Sequence, residues 1–205
     1  MIVVMTTALL VIDVQESFRQ RPLWQLISNP DIVDDVNRLV DAARRRDELV
    51  VWVLHTEPGT GTVFDPVNGY VRLIDGLEPR DGEPIVTKTS HNAFTTTNLQ
   101  QILVSRGVDH VVVCGIRTEQ CCETTARVAS DLGYRVTFVT EATATNPIPH
   151  WTAPADISIE EIMADPRTLP VEAIIARTEY ALAGRFATIA TIDEVVGQTE
   201  VLTGS

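Results

Sequence analysis

The feature that most constrains the fold is a set of apolar, β-branched runs that lack polar alternation and are separated by segments with helical spacing. Two of these runs are Thr7–Asp13 (TALLVID) and Leu49–His55 (LVVWVLH), and a third spans His110–Cys114. A strand without polar alternation suits a position that is buried on both faces, as in a parallel sheet. The sequence therefore predicts an α/β fold in which helices cover both faces of a parallel sheet.

The remaining elements continue this alternation along the chain. Further strands are predicted at Pro84–Lys88, Tyr134–Val139 and Ala187–Ala190, and helices at Asp31–Arg46, Thr95–Arg106, Glu119–Leu132 and Pro170–Ala183, with a turn at Asp193–Val196. Two long segments without periodicity, Glu57–Glu83 and Thr140–Leu169, are predicted to lie beside a functional site, because long irregular connections often carry function. With 205 residues and no internal repeat, the chain is expected to form a single domain over residues 1–205.

Composition narrows the class of protein. The formal net charge of -12 argues against a nucleic-acid partner and against an anionic membrane surface. The three cysteines are an odd number, which gives no disulfide framework and fits a reducing compartment. The N-terminal apolar run is interrupted by Asp13 and has no basic leader, so neither a signal peptide nor a membrane span is expected. We therefore expect a cytoplasmic protein.

The stretch Val111–Thr125 contains the candidate nucleophile. It reads VVVCGIRTEQCCETT and predicts a strand, a sharp turn and the start of a helix. Gly115 ends the apolar run, Thr118 is a candidate N-cap, and Cys121 falls in the first turn of the helix. Unpaired N–H groups and the helix dipole lower the pKa of a thiol at such a position. A buried, unreactive thiol is the commoner state, and that alternative stays open for each of the three cysteines.

Two charged residues end other predicted strands. Asp13 follows the first apolar run, and Lys88, the single lysine among 16 basic residues, ends a later one. Because the carboxyl ends of parallel strands meet at one edge of a sheet, Asp13, Lys88 and Cys121 are predicted to converge there. Two alternatives stay open: an N-cap or solvated loop role for Asp13, and compositional drift toward arginine that spared Lys88 by chance.

Three separated segments resemble one family of enzymes. Leu10–Phe18 (LVIDVQESF), Lys88–Leu99 (KTSHNAFTTTNL) and Val113–Thr124 (VCGIRTEQCCET) are similar to the isochorismatase-like superfamily of cysteine hydrolases. That group includes nicotinamidases, N-carbamoylsarcosine amidase and maleamate amidases. The resemblance implies a Rossmann-like three-layer sandwich with a six-stranded, mostly parallel sheet. It also implies an Asp–Lys–Cys catalytic triad, which by motif position falls on Asp13, Lys88 and Cys121.

The resemblance further implies the geometry of an acyl-transfer site. A cis peptide bond is expected between Ile116 and Arg117, with the backbone N–H groups of Arg117 and Cys121 forming an oxyanion hole. The implied activity is that of an amidohydrolase that cleaves a C–N bond (amide, lactam or ureide) of a small molecule through a thioester. The alternatives are a vinyl-ether hydrolase, which in the family dispenses with the cysteine, and a catalytically idle binding protein. We also expect a homo-oligomer, either a dimer or a tetramer.

The chain departs from the family pattern at two places. Nicotinamidases carry an Asp-x-His metal motif after the second strand, where this chain has His55, Glu57 and Gly59. Glu57 could replace the acid of that motif, but glycine at position 59 offers no ligand. We therefore expect His55 to be a hydrogen-bonding residue at the strand end, and we predict no metal and no cofactor. Arg117 stands where the family has a small residue. Its guanidinium is expected either to bind a substrate carboxylate or to pair with a neighbouring acid.

Four side chains are candidate walls of the substrate pocket, namely Phe18, His55, Phe64 and Trp151. Plain core packing is the alternative for each aromatic ring.

Overall fold

The computed structural model describes residues 6–197, in which six strands form one parallel sheet. The strands are β1 Thr6–Ile12, β2 Leu49–His55, β3 Ile85–Lys88, β4 Val108–Ile116, β5 Arg135–Ala144 and β6 Thr188–Ala190. Their order across the sheet is β3-β2-β1-β4-β5-β6, and every neighbouring pair is parallel. The predicted α/β sandwich is thereby confirmed, and its sheet is parallel throughout.

Helices lie on both faces of this sheet. The helices are α1 Glu16–Arg19, α2 Ile32–Arg45, α3 Leu99–Ser105, α4 Glu123–Asp131, α5 Ile159–Ala164, α6 Val171–Leu182 and α7 Ile192–Val196. Successive strand residues point to opposite faces, so β1 contributes Leu9 and Val11 to one core cluster and Leu10 to the other. The first cluster contains side chains of α2 and α7, and the second contains side chains of α3, α4 and α6.

Most boundaries lie within a few residues of their predictions, with four larger differences, one of which is that α4, predicted from Glu119, begins at Glu123. The helix predicted from Thr95 begins only at Leu99. Threonine hydroxyls make local bonds there instead, since Thr97 accepts from the Leu99 N–H and donates to the Ala93 carbonyl. β5 continues five residues beyond Val139, and the turn predicted at Asp193–Val196 is helix α7.

The longest described helix, α2, has 14 residues. Among residues 6–197, no helix combines the length and the apolar character that crossing a bilayer requires.

The sheet order positions the site. β1 and β4 are neighbours in the middle of the sheet, while the chain continues from β1 toward one edge and from β4 toward the other. Such a switch in direction leaves a crevice at the carboxyl ends of the two strands, where ligands of open α/β sheets bind.

Candidate active site

Asp13 lies directly after β1, at the carboxyl edge of the sheet. Its backbone has a φ of 52°, a left-handed conformation that aspartate adopts more readily than most residues. The Asp13 N–H donates to the Val53 carbonyl, and the Asp13 carbonyl accepts from the Gln15 N–H. Its carboxylate is fully buried, and Oδ2 lies 2.7 Å from the Lys88 ammonium, the distance of a charge-assisted hydrogen bond. Burial raises the pKa of Asp13, while Lys88 and Cys121 oppose that shift.

Gly115 allows β4 to pass very close to the end of β1. Its φ is 126°, and a Cβ atom there would lie 1.9 Å from the Ile12 carbonyl oxygen. The prediction that Gly115 ends the strand is wrong, since β4 continues to Ile116 while its register with β5 shifts. The close approach places the segment after β4 beside Asp13.

Cys121 lies in a π-type turn, Thr118–Cys122, that precedes α4. The Thr118 hydroxyl donates to Thr143 rather than capping the helix, which corrects the predicted N-cap. The Gln120 and Cys122 N–H groups donate to the Arg117 carbonyl, and the Cys121 N–H between them is not a further donor to it. The peptide bond before Arg117 is cis. π-type turns are rare in proteins overall, and those that do occur are often found at functional sites.

Lys88 reaches this site from β3, two strands away from β1. Its Nζ lies 2.7 Å from Asp13 Oδ2 and 3.4 Å from Cys121 Sγ. The ammonium also donates to the Ser90 carbonyl at 3.1 Å, and the whole side chain is buried. Burial lowers the pKa of Lys88, but the charges of Asp13 and Cys121 outweigh it, and the pKa lies above its usual value. The structure thus brings the three candidate residues together around one ammonium.

The protonation state of Cys121 differs from the expectation. Burial raises the pKa of the thiol to about 12, the Asp13 carboxylate raises it too, and Lys88 lowers it. The prediction of a lowered pKa is wrong because desolvation disfavours the thiolate more strongly than nearby positive charge favours it. Cys121 is therefore a thiol at neutral pH and needs a base to become a nucleophile.

Three of the four candidate pocket residues form one aromatic cluster. The rings of Phe18 and Phe64 meet edge-on with centroids 5.0 Å apart, and the His55 ring meets Phe64 at 5.5 Å. His55 Nδ1 lies 3.4 Å from Lys88 Nζ, which joins this cluster to the buried ammonium. Trp151 is the exception, because its ring is 88% exposed and packs on His150. The prediction for Trp151 is corrected: it lies on the surface of this chain.

The guanidinium of Arg117 pairs with a neighbouring acid. It lies 3.1 Å from the Glu119 carboxylate and donates to the Thr145 hydroxyl and the Asn146 carbonyl. The Thr145 hydroxyl also donates to Glu119, which closes a buried network beside the π-type turn. Of the two alternatives for Arg117, the structure therefore contains the ion pair with an acid. Glu119 was absent from the sequence-based site, although its spacing of two residues from Arg117 was visible.

The residues after β2 do not fit the metal site of nicotinamidases. His55 Nδ1 faces the Lys88 ammonium, and Gly59 has no side chain to ligate a cation. Within residues 6–197, no group of three or more His, Cys, Asp or Glu side chains has an arrangement that would hold a metal ion.

One buried residue that the sequence analysis missed is Gln15. Its side-chain oxygen accepts from the His55 N–H at 2.7 Å, and its nitrogen donates to the His55 carbonyl at 3.0 Å. This pair of bonds fixes the end of β2 beside the Asp13 segment. Its position two residues after Asp13 was the one feature of the sequence that pointed to a place beside the candidate site.

Comparison with known proteins identifies the family of this chain. The isochorismatase domain family matches residues 7–161. Nicotinamidase 3 of Arabidopsis thaliana is 35% identical over 152 residues, which cover 67% of this chain and 73% of that protein. Streptothricin hydrolase of Streptomyces noursei is 34% identical over 157 residues, which cover 74% of this chain and 53% of that protein.

A solved structure supports the same assignment. The crystal structure of an isochorismatase from Pseudomonas putida KT2440 is 31% identical, covers 92% of this chain and 89% of its own, and superimposes with a TM-score of 0.78. The family match covers more than half of the chain, and the fold agrees over nearly all of it. The chain therefore belongs to the isochorismatase family of hydrolases.

Proposed function

We propose that this hydrolase is a cysteine-dependent amidohydrolase that cleaves a C–N bond of a small molecule through a thioester. The observation that carries the proposal is the position of Lys88 Nζ, 2.7 Å from the Asp13 carboxylate and 3.4 Å from the Cys121 sulfur. A buried acid beside a thiol supplies the base and the nucleophile of acyl transfer, and the buried ammonium can stabilise the thiolate.

Asp13 is the proposed base of the first step. Burial raises its pKa and so increases its affinity for a proton, and the neighbouring thiol is the donor. As the proton moves from Cys121 to Asp13, the Lys88 ammonium stabilises the negative charge that appears on sulfur. The thiolate then attacks the carbonyl carbon of the substrate, and the carbonyl π electrons move to oxygen.

The backbone N–H groups of Arg117 and Cys121 are the proposed donors to that oxygen. Removing one such donor costs about 3 kcal/mol of transition-state stabilisation in other acyl-transfer enzymes. When the tetrahedral adduct collapses, the C–N bond breaks and the amine leaves with the proton held by Asp13. Water activated by Asp13 then attacks the thioester, which releases the carboxylic acid and restores the Cys121 thiol.

The similarity to a nicotinamidase favours amides as the substrate class, and streptothricin hydrolase is a second hydrolytic relative. The presence of Cys121 within the motif disfavours vinyl-ether hydrolysis, because the members of the isochorismatase-like superfamily that catalyse this reaction do so without the cysteine.

A panel of primary amides, lactams and ureides tests the proposal, with product mass and ammonia release as readouts. For any substrate that is turned over, Cys121→Ala should lower kcat by at least about a thousandfold, since the nucleophile is lost. Cys122→Ala is the matched control, because Cys122 is the adjacent thiol and is fully buried in the core. Turnover that persists in Cys121→Ala and falls only in the control would overturn the proposal.

A further inference from the structure

The Lys88 ammonium has more acceptors than hydrogens. Four acceptor atoms surround its Nζ: Asp13 Oδ2 at 2.7 Å, Ser90 O at 3.1 Å, and His55 Nδ1 and Cys121 Sγ, both at 3.4 Å. An ammonium group has three N–H bonds. The two short contacts engage two of them, so His55 and Cys121 compete for the third.

The charge of the Cys121 sulfur decides which of the two acceptors takes the third N–H of Lys88. A thiol is a weak acceptor, whereas an imidazole nitrogen with a free lone pair is a good one. The third Lys88 N–H therefore favours His55 while Cys121 is a thiol. It favours the sulfur once the sulfur is negatively charged, because hydrogen bonds to charged acceptors are about twice as strong.

The backbone holds His55 in place for this contact. His55 and Lys88 are register partners on the adjacent strands β2 and β3, so their side chains emerge next to each other. Both backbone polar groups of His55 are bonded to the buried Gln15 amide. The imidazole and the Phe64 ring pack in an edge-to-face arrangement. These contacts leave the ring little freedom to turn away from Lys88.

Glu57 sets the tautomer of His55 that this contact needs. Nδ1 can accept from Lys88 only when the ring proton is on Nε2, and Nε2 lies 3.4 Å from Glu57 Oε1. Glu57 is itself held by the Thr62 hydroxyl, which donates to Oε2 at 2.8 Å. Burial and the Lys88 charge lower the pKa of His55 despite Asp13 and Glu57, so the ring is neutral at neutral pH.

We propose that His55 is a positioning residue that holds one Lys88 N–H away from Cys121 in the resting enzyme, and so keeps Cys121 a neutral thiol until Asp13 takes its proton. This inference rests on the proposed function for its purpose, but the hydrogen-bond exchange itself requires no substrate. Loss of the His55 acceptor would free the third N–H for the sulfur. The resting thiol would then become more acidic and more reactive toward alkylating agents.

Two substitutions at position 55 distinguish loss of the hydrogen-bond acceptor from easier access of the alkylating agent to Cys121. His55→Asn keeps an acceptor oxygen near the position of Nδ1, whereas His55→Leu removes the acceptor but fills more of the space. Alkylation of Cys121 by iodoacetamide near neutral pH is followed by peptide mass spectrometry, with no substrate present. We expect His55→Leu to react about tenfold faster than the wild type and His55→Asn to stay within about threefold of it.

The order of the two rates decides between the explanations. If access to the site governed alkylation, the smaller asparagine would give the faster variant. A His55→Leu rate equal to or below that of the wild type, or a faster His55→Asn, would overturn the proposal.

His110→Leu is the matched control for general loosening of the fold. His110 is another partly buried histidine on the sheet, bonded to the hydroxyls of Thr7 and Thr137, and burial also lowers its pKa. Its substitution should leave the Cys121 alkylation rate unchanged.

Glu57→Leu gives a second route if His55→Leu does not fold. Its side chain is 39% exposed, and its loss should raise the Cys121 rate in the same direction by about threefold, because the Nε2–H tautomer loses its partner. An unchanged rate in this variant would contradict the role of Glu57. Since every rate is measured without substrate, failure of the amidohydrolase proposal would show in the substrate panel and not in these variants.

Discussion

A buried lysine is stable as an ammonium only where acceptors and negative charge replace the water that it has lost. Lys88 meets this condition through the Asp13 carboxylate, the Ser90 carbonyl and the ring of His55. The same contacts fix the position of its charge to a small volume beside Cys121. The identity of this residue as lysine, in a chain whose other basic residues are all arginine, therefore has a geometric reason.

Lys88→Arg tests that reason. A planar guanidinium is bulkier than an ammonium and cannot occupy the same point between Asp13 and Cys121. Because a misplacement of about 1 Å in such a site costs about a hundredfold in rate, we expect kcat to fall by at least about that factor. Turnover is measured on the substrate found in the panel, and circular dichroism checks that the variant is folded. Near-native turnover would mean that position 88 is a lysine only by chance, as a result of compositional drift toward arginine elsewhere in the chain.

The positions of Asp13, Lys88 and Cys121 could be predicted from sequence, because Asp13 and Lys88 lie at the ends of two strands, Cys121 follows a third, and parallel strands align their ends. Their catalytic roles stay proposals. The protonation state of Cys121 could not be predicted in the same way. The dipole of a helix is visible in a sequence, but the desolvation that raises the thiol pKa depends on residues distant along the chain.

At the scale of elements, the site depends on the contact between the ends of β1 and β4. Gly115 and Ile12 are register partners there, and the glycine has a positive φ at the point of closest approach. Sequence reasoning interpreted Gly115 as a strand breaker, since the neighbour that excludes a side chain is more than a hundred residues away.

Gly115→Ala should therefore be strongly destabilising. The new Cβ would meet the Ile12 carbonyl at 1.9 Å in a conformation that alanine rarely adopts, and we expect a loss of about 3 kcal/mol or more in the free energy of unfolding. Chemical denaturation measures this loss. Gly107→Ala is the control, because Gly107 has a φ of 65° but no atom within 4 Å of the added Cβ.

The control should lose only about 1 kcal/mol, the cost of the left-handed backbone alone. Equal losses in Gly115→Ala and Gly107→Ala would show that backbone conformation, and not the contact with β1, explains the glycine at position 115.

For the whole molecule, the parallel sheet with both faces covered could be predicted from unalternated apolar strands, and the family resemblance supplied the number of strands. Side-chain positions in the long segments could not be predicted, because no periodicity ties them to the sheet. Trp151 shows this limit, since it lies on the surface, whereas Phe64 from the other long segment packs against Phe18. The homo-oligomeric state, the single domain and the cytoplasmic location stay predictions.

The whole enzyme is expected to turn over its substrate without a metal ion. Glu57 and Gly59 stand where nicotinamidases carry their metal motif, and the two ring nitrogens of the neighbouring His55 face the Lys88 ammonium and the Glu57 carboxylate. A cation bound at Nδ1 would have to displace a buried positive charge, which electrostatic repulsion opposes. We therefore expect dialysis against a chelator to change kcat by less than about twofold.

The measurement pairs turnover with elemental analysis of the dialysed protein, so that unchanged activity is assigned to metal-free enzyme. A parallel sample receives zinc or iron after dialysis, and neither should raise the rate. Activity that disappears with the chelator and returns with either metal would contradict the prediction. It would also mean that the roles proposed for Asp13 as base and for Lys88 as a stabilising charge are incomplete, because a metal-bound water would then supply part of the chemistry.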